Sequence, residues 1–126
     1  MINLLAVALG GAVGAVSRYG LVLAVARLGG AGFPWATLIA NVGGSFLIGL
    51  IWVLLEHRAM LDSPWRAFLI VGVLGGFTTF SAFSLETLTL MQEMRWSAVM
   101  ANVVLSVAGC LIAVGLGAAM ARNLTG

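Results

Sequence analysis

Residues 72–86 read Gly72-Val73-Leu74-Gly75-Gly76-Phe77-Thr78-Thr79-Phe80-Ser81-Ala82-Phe83-Ser84-Leu85-Glu86. The stretch lies inside a long apolar segment, where an unbroken helix is the default. Gly75-Gly76 and Thr78-Thr79 fall where such a helix would cross a bilayer. Glycine weakens a helix interior by about 1 kcal/mol relative to alanine, and threonine is a mediocre helix former. Non-helical backbone at membrane depth survives only where it is buried in protein or lines a water-filled path. Discontinuous helices of this kind aim backbone ends at ions. The stretch therefore predicts a third span broken at Gly75–Thr79, with the break at the centre of a pathway for a small ion.

The surrounding composition fits that reading. Of 126 residues, 62% are hydrophobic and 8% charged, and the mean hydropathy is +1.14. Soluble domains carry about 25% charged residues. The chain is thus expected to be one membrane domain, residues 1–126, with almost no room for a soluble part. A net charge of +2, carried by scattered arginines, is too small for a nucleic-acid surface. Cys110 is the lone cysteine and says nothing about redox compartment. The apolar start, Met1 to Ala15, ends in small residues as a signal peptide does, but it lacks a basic leading region.

A bilayer core of about 30 Å needs roughly 20 apolar residues per helix. Four segments qualify: Ile2 to Ala26, Phe33 to Leu55, Ala67 to about Glu93, and Trp96 to Ala121. The connectors are short, at Arg27–Gly32, Glu56–Arg66 and Met94–Arg95. Trp35, Trp52, Trp65 and Trp96 fall near span ends, where interfacial anchors belong. His57 sits between Glu56 and Arg58 and reads as a solvated loop residue. The basic residues divide almost evenly between the two faces, with Arg58, Arg66 and Arg122 on one and Arg27 and Arg95 on the other. Orientation normally follows a clear Lys/Arg excess on the cytoplasmic side. The flat count permits insertion both ways, hence an antiparallel dimer of identical subunits. One orientation fixed by a weak bias stays equally open on charge alone. Gly10 with Gly14, and Gly72 with Gly76, make close-packing GxxxG pairs. Four such spans enclose little pathway by themselves, so oligomerisation is expected.

Polar residues inside the spans carry the chemistry. Thr37, Asn41 and Ser45 recur at four-residue intervals, as do Asn102, Ser106 and Cys110. Each series makes a polar strip along one helix face. The strips offer donors without a fixed charge, which suits an anion that must be bound and released; interhelical hydrogen bonding is the alternative use. Phe80 and Phe83 share a face if the chain after the break is helical. Their positive ring edges would stabilise a small anion, although phenylalanines at this spacing also serve as packing. Ser81 and Ser84 repeat the spacing. Backbone carbonyls near Gly75 and Thr78, freed by the break, suit a hard cation such as Na⁺. Glu86 is the acid well inside a span, a proton site or a buried partner. Arg18 is the base within a span, placed to attract anions, to snorkel or to pair. No nucleotide loop, metal-ligand cluster or nucleophile–base pair is present, so an enzyme is not expected.

Together these residues closely resemble the Fluc (CrcB-type) fluoride channel family over nearly the whole chain. The resemblance rests on 11–19, on 37–49, on the 72–86 motif and more loosely on 102–109. It implies an all-α antiparallel, dual-topology homodimer in the plasma membrane of a microorganism. It also implies two fluoride pathways per dimer, each lined by both subunits, for passive export of cytoplasmic fluoride. By resemblance, Asn41 would hydrogen-bond the ion at the vestibule end, and Phe80 and Phe83 would supply ring edges. Thr37, Ser81 and Ser106 would line the pore, with Glu86 a buried polar partner beside it. Arg18 would lie toward an aqueous vestibule. The Gly75 and Thr78 carbonyls would hold a structural Na⁺ centrally at the dimer interface. The chain departs from the family pattern at Ala82, where a threonine is usual, and at Asn102 and Cys110, where hydroxyls are expected. A small proton-coupled multidrug exporter is the rival reading. It is expected to carry an acid in the first span, whose ionisable residue here is Arg18. A non-transporting subunit of a larger complex is the third.

Overall fold

The computed structural model describes residues 1–126. Four helical segments are long and apolar enough to cross a membrane. Helix α1 is Ile2–Arg27 and α2 is Trp35–His57. The third span comprises α3, residues 64–77, and α4, Phe80–Gln92; α5, Trp96–Thr125, is the fourth. Pro64 opens α3 at its first turn, where its missing N–H and fixed φ are no handicap. The protein is therefore an all-α, multi-pass membrane protein with the expected spans and short connectors.

The third span departs from the expectation in two ways. Gly75 and Gly76 stay helical, with Gly75 at φ −63° and ψ −36°. The non-helical backbone is confined to Thr78 and Thr79, at ψ 156° and 120°. Gly76 serves packing instead, while Gly75 is exposed and lines a cavity. Ahead of them, Ala67–Leu74 winds as a π-helix, a form usually met as single-turn insertions near functional sites.

Packing follows the small residues. The α1–α3 and α2–α5 pairs are the extensive contacts. A Cβ on Gly72 would sit 2.9 Å from Gly10 Cα, and one on Gly76 would sit 2.7 Å from the Gly11 carbonyl. The two GxxxG pairs thus face each other, with helix backbones in direct contact. Gly49 and Gly117 do the same between α2 and α5, where a Cβ would overlap the carbonyls of Val114 and Phe46.

Three helices end alike. At the end of α1, Gly29 takes φ +78° and Gly30 N donates to the Val25 carbonyl at 3.0 Å. This six-to-one bond closes the helix by satisfying an orphan carbonyl. Ala59 and Met94 hold the same left-handed position after α2 and α4, at φ +54° and +56°, with bonds Met60 N to Leu55 O and Arg95 N to Leu90 O.

Only 20 of the 126 residues are buried. The buried core of a single copy is small, so most of its apolar surface faces lipid or another chain. Gly75, Phe80, Ser81 and Ser84 are exposed too, beside the break.

Candidate functional site

The site is assembled around Thr78 and Thr79, which stand midway along the 29-residue third span. Each threonine closes one helix end. Thr78 donates both its N–H and its hydroxyl to the Leu74 carbonyl, each at 2.9 Å. Thr79 is the N-cap of α4, its Oγ1 accepting from Ala82 N at 3.2 Å. Such a cap contributes about 1 kcal/mol. The same oxygen lies 3.1 Å from Ser81 Oγ.

Asn41 on α2 clamps the break. Its Oδ1 accepts from Thr79 N at 2.7 Å and its Nδ2 donates to the Thr79 carbonyl at 3.0 Å. The carboxamide thereby replaces the helical partners that Thr79 lacks. Gly44, one turn along, lets Thr78 approach, since a Cβ there would overlap Thr78 Cγ2.

These bonds leave particular carbonyls without helical donors. The Thr79 N–H, four residues after Gly75, is taken by Asn41. The Ala82 N–H, four residues after Thr78, is taken by Thr79 Oγ1. The Gly75 and Thr78 carbonyls are thus the kind of hard oxygen donors that fit an alkali cation. Between them in sequence, the Gly76 carbonyl accepts from Arg18 Nε at 3.3 Å. A guanidinium belongs there, at the negative C-terminal end of α3.

A cavity of about 530 Å³ opens beside the break. Asn41, Gly75, Thr78, Phe80, Phe83 and Ser106 are among its lining residues, and none of the thirteen that line it is charged. The Phe80 and Phe83 rings are 5.2 Å apart at 44°. Phe83 is buried and Phe80 is 74% exposed, so the pair runs from the interior to the outer face. Further along α4, Glu86 Oε1 accepts from the buried Thr37 hydroxyl at 2.7 Å, while Oε2 is buried without a partner. Glu86 lines a second cavity of about 230 Å³, together with Thr89, Glu93 and Arg95. Glu93 and Arg95 pair at 3.2 Å.

Asn41, Phe80, Phe83 and Ser106 therefore converge on one cavity, with Gly75 and Thr78 on its wall. Thr37 and Glu86 pair with each other, and Glu86 lines the second cavity. Ser81 sits on the exposed side of α4 and lines neither cavity; Arg18, on α1 and bound to the Gly76 carbonyl, also lines neither. Sequence reasoning did not single out Thr87. It lies one turn beyond Phe83, and its Oγ1 accepts from Asn102 Nδ2 at 3.0 Å. The four-residue spacing from Phe83 was the signal available.

Fold and site define a small multi-pass membrane protein built around a discontinuous span, the architecture of proteins that pass ions. Residues 5–118 match the family described as CrcB-like protein, Camphor Resistance (CrcB), and the chain belongs to that family. A relative from Paramagnetospirillum magneticum is 50% identical over 119 residues, covering 93% of each chain. One from Magnetococcus marinus is 49% identical over 92% of this chain and 94% of its own. A third, from Ruminiclostridium cellulolyticum, is 49% identical over 98% and 95%. All three are named fluoride-specific ion channel FluC.

Proposed function

We propose that this chain is a fluoride-selective channel that exports cytoplasmic fluoride passively, down its electrochemical gradient, across the plasma membrane. The observation that carries the reading is the uncharged cavity at the break, walled by Phe80, Phe83, Asn41 and Ser106. A small anion there would meet ring edges and weak hydrogen-bond donors. No full positive charge would hold it, so it could leave as readily as it enters. Asn41 keeps one amide hydrogen beyond the one given to Thr79, and that hydrogen suits the ion at the vestibule end. Thr37 with Glu86 would carry the route past Phe83, with Ser81 at its exposed flank. Arg18 would bias the potential near the break toward anions.

An antiparallel homodimer with two pathways fits the exposed polar break. Gly75, Phe80 and Ser81 are uncovered at mid-depth, where lipid cannot satisfy irregular backbone. A second copy would cover them, and the flat arginine count lets that copy insert inverted. The Gly75 and Thr78 carbonyls of both copies would then hold a structural Na⁺ at the shared interface. Held there, such an ion would supply charge that locks the two breaks together.

The test is fluoride efflux from proteoliposomes, followed with a fluoride electrode beside chloride-loaded controls. Rapid fluoride efflux without a pH gradient, absent for chloride and lost in Phe80→Ile, is expected. Flux tied to protons would refute the channel and make the unpartnered Glu86 oxygen a transporter's proton site.

A further inference from the structure

Asn102 is the one large side chain sealed from the surroundings, at 1% exposure, although it stands on a bilayer-spanning helix. A polar group in that position needs partners, and those of Asn102 have a fixed polarity. Thr87 Oγ1 lies 2.7 Å from the Phe83 carbonyl. A carbonyl only accepts, so the single Thr87 hydroxyl hydrogen is committed there. Thr87 Oγ1 must then accept from Asn102, and the amide atom 3.0 Å away must be the nitrogen. That orientation turns Asn102 Oδ1 to Ser106. Oδ1 cannot donate, so Ser106 Oγ donates to it, at 3.5 Å. The string runs one way, from Ser106 through Asn102 and Thr87 to the Phe83 carbonyl. The bonds to Thr87 and to the Phe83 carbonyl, at 3.0 and 2.7 Å, have ordinary lengths, and the Ser106 bond is at the limit of hydrogen-bond length.

Ser106 and Phe83, the two ends of the string, line the cavity beside the break. We infer that Asn102 is a positioning residue that parks the Ser106 hydroxyl hydrogen. An anion in the cavity draws that hydrogen away from Asn102 on arrival and returns it on leaving. The inference rests on the anion-channel reading above. The Thr87 bond keeps the amide from turning over and presenting its own NH₂ to Ser106. A long, loosely held bond gives a donor that yields at small cost. A hydroxyl with no resting acceptor would hold the anion more firmly and release it more slowly.

The test is the rate of fluoride efflux from proteoliposomes across a series of internal fluoride concentrations. It compares the unmodified protein with Asn102→Leu, Ser106→Ala and the double variant. Asn102→Leu is expected to lower the half-saturating concentration about three- to tenfold, the worth of one net hydrogen bond, and to lower the maximal rate. In the Ser106→Ala background it should change neither. Slower efflux at unchanged half-saturation in both backgrounds would show a merely structural role and overturn the inference. Should Asn102→Leu fail to purify as a folded species, Thr87→Val is read instead. It frees the amide to turn over, and the same fall in half-saturation is expected; an unshifted value overturns the inference. Absence of fluoride flux in the unmodified protein refutes the channel reading and this inference with it. Normal flux there with unshifted variants refutes the role of Asn102 alone.

Discussion

Replacing Asn41 by leucine should cost the fold about 2–4 kcal/mol, for reasons local to Thr79. The substitution keeps the branching and heavy-atom count of the side chain on α2 and removes two hydrogen bonds, at 2.7 and 3.0 Å. An interhelical side-chain bond in a membrane averages about 0.6 kcal/mol, because separated helices find other partners. Two such bonds would predict a loss of about 1.2 kcal/mol. Thr79 differs, since its N–H and carbonyl belong to extended backbone between two helices and have no helical fallback. Each buried group left unpaired costs roughly 1–3 kcal/mol. Water in the adjoining cavity recovers part of that, which leaves the expected range. The assay is reversible unfolding in mixed micelles, followed by tryptophan fluorescence at one fixed protein concentration, since association shifts apparent stability. Ser45→Ala is the control. Ser45 lines the same cavity one turn along, and its hydroxyl clamps no backbone, so a change within about 0.5 kcal/mol is expected. A loss below 1 kcal/mol for Asn41→Leu would refute the claim that Asn41 supplies the partners Thr79 lacks.

Gly14→Ala should destabilise the protein by about 1–3 kcal/mol through overpacking. Its Cβ would overlap the Val73 carbonyl oxygen and lie 2.8 Å from Phe77 N. Gly20→Ala on the same helix, with open space at its Cβ position, should gain up to about 1 kcal/mol; equal effects on unfolding would contradict the packing account. Ala59→Gly should raise stability by roughly 0.5–1 kcal/mol. It relieves about 1–2 kcal/mol of left-handed strain at φ +54° against a backbone-entropy cost of about 0.5–1. A midpoint lower than that of the unmodified protein would show the strain is not there.

The four spans were legible because length and hydropathy alone determine what can cross a bilayer. The break was legible as a region and misplaced in detail. Gly75-Gly76 reads as the weak point of a helix, yet both stay helical, and at Gly76 the absence of a Cβ lets the span pack directly on α1. The threonines break instead: the Thr79 hydroxyl caps the start of α4, and the Thr78 hydroxyl adds a second bond to the Leu74 carbonyl that its own N–H already holds. The π-helical run at Ala67–Leu74 left no trace in the sequence. An apolar stretch looks the same whether its bonds skip four residues or five. The facing of Gly10 with Gly72 was half legible: the spacing announced close contact and gave no partner. Pairings across distant segments were less so. Thr37 with Glu86, 49 residues apart, and Asn102 with Thr87, 15 apart, depend on how α2, α4 and α5 meet.

Counting hydroxyls in the sequence also overstates the donors available to an anion. Thr37 gives its hydrogen to Glu86. Thr78, Ser84, Thr87 and Thr89 each donate to the carbonyl four residues back, and Ser106 donates to Asn102. The polar strip is therefore largely satisfied within the chain, as a low-dielectric setting demands. Free donors remain at few places: the second amide hydrogen of Asn41, the Ser45 hydroxyl, and the exposed pair of Thr79 and Ser81. Beyond these and the Cys110 thiol, an anion in the cavity meets ring edges, aliphatic side chains such as Ile48 and Leu111, and hydroxyls that must be turned away from their resting partners. An anion with a large dehydration penalty needs more than one such weak contact at a time. On the channel reading proposed above, selectivity would lie in several weak donors acting on the ion at once, beside the Phe80 and Phe83 rings whose centroids stand 5.2 Å apart, rather than in any one strong site.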